Sequence, residues 1–329
     1  MPRFNFVVGR DADTLSRLAS IQDLAGLVDA DPAEAAAIFA DGELVWCLQT
    51  YILLANRGAL SVSCTNALDD GCVNIVHSDR LLNIRGRPSA FVVCARADYP
   101  KRHWAQHHIV QNRTQAGPAA SYIPHWVQPG LRKRDPRRRG VLRVGYAGQI
   151  SRNLAGGVAE WEALFRPHGI EFVLLPKEAW HDLRAIDVLV GVRSFDGRPH
   201  DTKPPSKLFN AWHAEIPFIG GADSAFRQVG MPGRDYIAVR TKQEALDAVL
   251  MLRDDPARYR DMVESGKRRA RTYCNARIAE TWERVLTEDV ARRYWRWCRA
   301  AGRERALFHA MQSFGLGLHG AKQIVKRLA

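Results

Sequence analysis

Residues Lys203–Ile219 read KPPSKLFNAWHAEIPFI. Pro204 and Pro205 end whatever precedes them and preset the first turn of a helix. Leu208, Phe209, Ala211 and Trp212 then recur at helical spacing, which predicts a helix with one buried face. Ile-Pro-Phe-Ile (Ile216–Ile219) follows as the start of a buried strand. Just upstream, DVLVGV (Asp187–Val192) is another apolar strand. Strand, loop, helix and strand in this order make a βαβ unit, and such units build parallel sheets covered on both faces. The loop RSFDGRPHDTKPPS places Arg193 at the end of the first strand, and Lys203 and Lys207 at the mouth of the helix, with Ser206 as a possible cap. A helix start carries free N–H groups and partial positive charge, which suit a phosphate. The plain alternative is that both lysines are solvated.

Working outward, the second half alternates strand and helix throughout. VLRVGYAG (Val141–Gly148), EFVLL, DVLVGV, IPFIG and DYIAV read as strands. Helices are expected around Gly157–Phe165, over KEAWHDLRAI, over KLFNAWHA, over SAFRQV, over KQEALDAVLMLRD and from Pro256 onward. The first half has the same character. FNFVV (Phe4–Val8) opens it, a helical pattern runs from Asp13 to Val28, and a longer helix starts at Asp31 (N-cap) and Pro32 and stops at Gly58. ALSVSC, VNIVHS, SAFVVCA and HHIVQN are short β-rich runs. The expected architecture is α/β: two Rossmann-like doubly wound domains facing a cleft, with ligands at the carboxyl ends of the strands. The boundaries fall at 1–130 for the first domain, 131–140 for a Pro/Gly/Arg-rich linker, 141–272 for the second domain and 273–329 for terminal helices with a basic tail.

With 329 residues, 46% of them hydrophobic, the chain is long enough for two cores, and disorder as the main state is excluded. Six cysteines form no CxxC pair, and several lie inside apolar runs, so neither a disulfide frame nor a zinc site is expected. The N-terminus lacks a signal-peptide layout, and the longest apolar run, around Leu44–Ala55, is too short to span a bilayer. A cytoplasmic protein is expected. The formal net charge is +13, concentrated in RKRDPRRR (Arg132–Arg139), KRRARTYCNAR (Lys267–Arg277) and the tail. From Arg292 to Ala329 nine Lys/Arg, the last three being Lys322, Lys326 and Arg327, face one acid, Glu304. Anionic partners follow: phosphates, an anionic membrane surface or nucleic acid.

From Tyr122 to Leu286, about half the chain, the sequence resembles the donor half of a GT-B fold glycosyltransferase, with motifs in that family's order. SYIPHWVQPGLRKRD is similar to the exit from the first domain. VLRVGYAGQISRN is similar to the first strand and Gly loop that face the donor phosphates. KPPSKLFNAWHAEIPFIGG is similar to the helix and strand that hold a nucleotide sugar. LRDDPARYRDMVESGKRRARTYCNARIAETWERVL is similar to terminal helices crossing back to the first domain. The resemblance implies transfer of a sugar from a nucleotide-sugar donor to a glycan or lipid-linked acceptor, in bacterial cell-surface polysaccharide synthesis. It implies a hexosyltransferase-like enzyme that needs no metal and no other cofactor. Three positions depart from the family pattern. Asn210 stands where many relatives have a ribose-binding Glu, Thr202 falls near the place of a sugar-binding Glu, and Glu215 replaces a Gly. The stereochemical outcome is therefore open.

Such a reaction expels a nucleoside diphosphate, so cationic groups at the leaving group lower the barrier. Arg193, Lys203, Lys207 and the backbone at Gly148 are assigned to the phosphates, with Ser151 and Arg152 as further candidates. Asn210 and His213 are assigned to the ribose or base. An inverting reaction needs a base beside the acceptor hydroxyl. Asp79 and His77 in VNIVHSDR, and Asp13 or Asp11 after VVGR, are candidates because each follows a first-domain strand; caps or solvated groups are the alternative. His103 and His107 stand at i and i+4, with His108 next; with no third ligand at useful spacing, packing is preferred to a metal site. His125 in IPHW stands at the domain junction, facing the cleft or holding the hinge.

The tail ARRYWRWCRAAGRERALFHAM combines Arg with Tyr294, Trp295, Trp297, Leu307 and Phe308. On a helix this gives one basic and one aromatic side, fitting either the inner face of the plasma membrane or packing on the first domain. Two further function classes stand beside the transferase. One is a non-catalytic nucleotide-sugar- or glycan-binding protein that kept the fold. The other, a nucleic-acid-binding protein, is disfavoured because no such module is recognisable.

Overall fold

The computed structural model describes residues 1–312 apart from 40, 83, 85, 86 and 152, and for residues 36 and 37 the backbone alone. Two parallel sheets organise the chain. The first contains β1 (Arg3–Val7), β2 (Val62–Thr65), β3 (Cys72–His77), β4 (Phe91–Ala95), β5 (His107–Val110) and β6 (Ala120–Tyr122), in the order β2-β1-β3-β4-β5-β6. The second contains β7 (Arg143–Ala147), β8 (Glu171–Leu175), β9 (Val188–Gly191), β10 (Phe218–Gly220) and β11 (Ile237–Ala238), in the order β11-β10-β9-β7-β8. Every strand pair within both sheets is parallel. β3, β4, β5 and β9 are buried at every residue, as strands covered on both faces must be.

In each sheet the strand order reverses once, between β1 and β3 and between β7 and β9. Neighbouring loops then leave toward opposite faces and open a crevice at the carboxyl ends of those two strands. In the second sheet that point is flanked by Gly148, after β7, and Arg193, after β9.

The first lobe carries α1 (Ala12–Ala19), α2 (Leu24–Ala30), α3 (Pro32–Phe39) and α4 (Gln49–Arg57), the last entered through a π-helical stretch, Leu44–Leu48. Two expected helices are divided. The Asp13–Val28 pattern breaks between α1 and α2, where Asp23 caps α2 by accepting from Ala25 N–H. The long helix ending at Gly58 is interrupted near Gly42. Asp41 accepts the N–H groups of Glu43 and Leu44, restarting the helix, and Gly42 itself lines the crevice described below. Gly58 ends α4 at φ 67°, the left-handed conformation that favours glycine.

The second lobe adds α5 (Val158–Phe165), α6 (Ser206–His213), α7 (Ser224–Val229), α8 (Lys242–Asp254) and α9 (Pro256–Thr272). The helix expected over KEAWHDLRAI is reduced to one 3₁₀ turn, Lys177–Ala179. The rest is captured by residue 132: Arg132 N–H donates to His181 O, and Leu183 N–H donates to Arg132 O. Residues 131–140 are thus seated on the second lobe. The buried Asp187 carboxylate accepts from Arg134, Arg138 and the N–H groups of Leu142 and Arg143. Burial raises its pKa, but those hydrogen bonds outweigh it and hold the carboxyl below its ordinary range.

After α9 the chain returns to the first lobe. α10 (Asn275–Arg284), a π-helical stretch (Val285–Val290) and α11 (Ala291–Arg299) follow, and residues 302–312 are helical. Ile278, Trp282, Leu286 and Tyr294 join the core formed by Phe4, Phe6, Trp46 and Phe91. Trp297 packs on that core and Trp295 is exposed, so the aromatic residues of the tail divide between packing and solvent. Lys322, Lys326 and Arg327 lie outside the described residues. Among the described residues no helix is long and apolar enough to cross a membrane.

Candidate functional site

A cavity of about 290 Å³ lies between the lobes. Gly42, Trp46, Asp98 and His125 approach it from the first lobe, and Gly148, Arg193, Lys203 and Lys207 from the second. It sits at the carboxyl ends of β7 and β9, where the strand order of the second sheet reverses.

α6 brings the cations in. Its apolar residues Leu208, Phe209, Ala211 and Trp212 are buried, which fixes Ser206 and Lys207, at its first turn, on the cavity wall. Pro205 precedes the helix and Ser206 is its first residue, so Ser206 is not the side-chain cap expected. The Lys207 ammonium lies 5.1 Å from the centre of the Tyr146 ring, a cation–π contact. It has no carboxylate partner among the described residues. Burial, reinforced by repulsion from Arg193 and Lys203 and opposed by Asp223, lowers its pKa to about 7.

Gly148 has φ 145°, and a Cβ there would stand 2.9 Å from Lys207 Nζ. The backbone angle favours glycine, while the Lys207 ammonium, at the end of a flexible side chain, would have to shift to admit a Cβ. Gly148→Ala is expected to displace the ammonium and weaken binding of a diphosphate at this wall about tenfold while the chain stays folded; calorimetric titration with inorganic diphosphate beside thermal unfolding checks this.

Arg193 is buried, and its Nε lies 2.9 Å from Asp223 Oδ1. The pair is close but poorly aligned. Arg193 Nε and Nη1 and both Asp223 oxygens are buried without a hydrogen-bond partner among the described residues. A guanidinium with unspent donors beside a cavity is equipped to receive an anion. Burial raises the Asp223 pKa, and Arg193 pulls it back.

Lys203 reaches the cavity wall but is paired across the lobes with Asp98, its carboxylate partner after β4. Asn112, buried after β5, clamps the same loop by donating to Lys203 O at 3.2 Å and to Ser224 Oγ at 2.9 Å. The Asp98 carboxylate competes with any phosphate for Lys203. Asp98→Asn is therefore expected to tighten diphosphate binding, by about two- to fivefold for a partly exposed pair, in the same titration.

The remaining assigned residues are scattered. Asn210 lines the cavity, but its Oδ1 accepts from Gln128 N–H at 3.3 Å, tying α6 to the interlobe segment. His213 is not a wall residue: its Nε2 lies 3.1 Å from Tyr273 O, facing the α9–α10 junction, so the ribose assignment does not fit its place. Ser151 is exposed and off the cavity wall, and Arg152 lies outside the described residues.

The base candidates fare worse. Asp11 caps α1 by accepting from Thr14 N–H, and Asp13 is exposed in the first turn of that helix. Asp79 accepts from Tyr99 O–H at 2.7 Å, and neither Asp79 nor His77 is on the cavity wall. His77 is buried behind Gly42; a Cβ on Gly42 would come within 3.2 Å of its ring. Burial lowers its pKa, with Asp79 pulling the other way.

His125, in contrast, is on the wall. Its Nδ1 lies 2.8 Å from Trp126 O, and a carbonyl only accepts, so Nδ1 carries the proton and Nε2 of the neutral ring keeps its lone pair. Trp46 holds the ring edge-on at 5.2 Å, and burial lowers its pKa. His107 and His108 lie on β5, bonded to Ser121 Oγ and Arg102 O. Among the described residues no three His, Cys, Asp or Glu are grouped to hold a metal.

Local sequence pattern does not single out Asp98, Asp223 or Tyr146. Asp98 and Asp223 each follow a strand closely, the same signal that drew attention to Asp79.

The fold is that of GT-B glycosyltransferases. AviGT4, a glycosyltransferase involved in avilamycin A biosynthesis, superposes with a TM-score of 0.51 at 13% identity, covering 79% of this chain and 91% of AviGT4. The HepE protein of Anabaena, solved with UDP and glucose, gives a TM-score of 0.49 at 11% identity over 87% of this chain and 99% of its own. The pneumococcal O-GlcNAc transferase GtfA, solved with UDP and GlcNAc, gives 0.49 at 10% identity over 74% of this chain. This chain spans 60% of the length of GtfA. No family model matches the chain. No curated protein matches it either.

Proposed function

We propose that the chain is a glycosyltransferase using a nucleotide-sugar donor, with the second lobe binding the donor and the first receiving a glycan or lipid-linked acceptor. The observation that carries this is the convergence of Arg193, Lys207 and the Gly148 backbone where the second sheet reverses its strand order, inside the interlobe cavity. Two fixed cations and the start of α6 suit a diphosphate and stabilise its charge as it leaves. The acceptor oxygen attacks the anomeric carbon, the bond from that carbon to the phosphate oxygen breaks, and its electron pair stays on the diphosphate. The acceptor proton passes to a base in the cavity, for which His125 Nε2 and Asp98, both wall residues, are the candidates. This chemistry calls for no metal at the diphosphate. Transfer of a hexose in bacterial cell-surface polysaccharide synthesis, in the cytoplasm at the inner face of the plasma membrane, completes the reading.

Thermal-shift measurements with UDP-, GDP-, CMP- and dTDP-sugars test it, followed by assay of released nucleoside diphosphate. The expected result is stabilisation by one nucleotide class, with turnover. No shift with any of the four overturns the reading. Binding without turnover selects the second one, a nucleotide-sugar-binding protein. That alternative is favoured by Asn210, which offers the ribose no carboxylate and whose Oδ1 is already bonded to Gln128 N–H.

A further inference from the structure

A second cavity, of about 400 Å³, opens on the second lobe at the other end of its sheet. Val141, two residues before β7, and Tyr259 of α9 are on its wall. Gly148 follows the far end of the same strand. Five residues separate the two ends, about 16 Å at strand rise. The cavity is therefore separate from the interlobe crevice.

Its lining combines five arginines (Arg134, Arg138, Arg139, Arg253 and Arg260) with an apolar floor formed by Val141, Leu252, Pro256 and Tyr259. No carboxylate lines it among the described residues. Two of the arginines are fixed in place. Arg134 Nε and Arg138 Nη2 each bind the buried Asp187, at 2.9 and 2.8 Å. Tyr259 O–H donates to Asp187 O at 2.8 Å, and the Arg134 guanidinium lies 5.5 Å from the centre of its ring. Arg253 pairs with Asp254 and donates to His168 O. The charges of Arg139 and Arg260 are left over. Arg139 donates only to the carbonyls of Pro136 and Arg138, and Arg260 has no partner among the described residues.

Asp187 behind the wall and Asp254 beside it, with Asp135 near Arg138 but paired to Arg137, leave an excess of positive charge at the cavity. Guanidinium forks match phosphate oxygens in pairs, and several of them converging favour a dianion over a single carboxylate. An apolar and aromatic floor favours a ligand with a flat or apolar body beside that charge. The geometry points to a second anion site, which takes an organic phosphomonoester of about mononucleotide size. This inference does not rest on the transferase reading.

Calorimetric titration at fixed ionic strength, using the full chain carrying Lys207→Met to silence the interlobe site, tests it with AMP, adenosine and inorganic phosphate. AMP is expected to bind one per chain. Adding Arg139→Gln and Arg260→Gln, both exposed positions, should weaken it by about tenfold or more. Adenosine should not bind, and inorganic phosphate should bind several-fold more weakly than AMP. No AMP binding, or binding indifferent to the two glutamines, overturns the site. Inorganic phosphate binding as well as AMP overturns the role of the floor. Phosphatidylglycerol vesicles are run in parallel against phosphatidylcholine. Capture that needs Arg139 and Arg260, with no binding of AMP, would place a lipid headgroup there and refute a soluble ligand.

Discussion

Lys207→Met is expected to weaken nucleoside-diphosphate binding on the order of 100-fold, because it removes a buried cation without a carboxylate partner, leaving Arg193 as the charge at the site, which Asp223 partly offsets. Its pH dependence makes the test specific. Lys207 titrates near pH 7 in the fold, pushed down first by burial and then by Arg193 and Lys203, against an ordinary value of 10.5. A diphosphate favours the ammonium, so binding above pH 7 takes up a proton. The affinity of UDP should therefore fall by up to about tenfold per pH unit above that point, and stay nearly flat in Lys207→Met. Stability runs the other way. Because the folded pKa is depressed, the charged form costs stability below pH 7, and that cost fades as pH rises toward the unfolded value. Lys207→Met should accordingly gain stability over the parent at pH 6 and lose that gain near pH 10. Calorimetry with UDP from pH 6 to 9, and denaturation over the wider range, check both halves. A parent profile as flat as the variant's would remove Lys207 from the phosphate site.

The features legible in the sequence were those written in local pattern. Helical spacing in KLFNAWHA, with two prolines before it and Ile-Pro-Phe-Ile after it, fixed a helix whose first turn carries Lys207. Strand endings placed Gly148 and Arg193 at one edge of a parallel sheet. What the pattern could not hold was pairing across the chain. Lys203 reads as a free cation in sequence, and only the packing of the lobes sets Asp98 against it. His213 and Asn210 share a helix with Lys207, yet contacts with Tyr273 and Gln128 decide where they face. His77 ends β3 as expected, but the restarted helix brings Gly42 over its ring, and it is off the cavity wall. The helix expected over residues 177–186 has adequate local propensity. It gives way because the backbone of Arg132 offers hydrogen bonds that a helix there would forgo.

Arg193→Met should destabilise the second lobe by about 3–5 kcal/mol, since it leaves the Asp223 carboxylate buried without its counter-charge. Asp223 already has a raised pKa through burial, with Arg193 the largest opposing influence, so removing Arg193 raises it further. A raised folded pKa means that the neutral acid fits the fold better than the anion. The penalty is then absent at pH values below the ordinary aspartate range, grows as pH climbs from that range toward the raised value, and is complete above it. Arg193→Met should thus lose much less stability at pH 4.5 than at pH 8, measured by urea denaturation at both. An equal loss at the two would mean that packing, not charge, accounts for it. Adding Asp223→Leu to Arg193→Met removes the stranded charge and should recover most of the lost stability at pH 8. The double variant should still fail to bind UDP, because it folds without the guanidinium that faces the cavity. Recovery of both stability and binding would show that Arg193 serves only to neutralise Asp223; recovery of stability alone assigns its unspent donors to the phosphate.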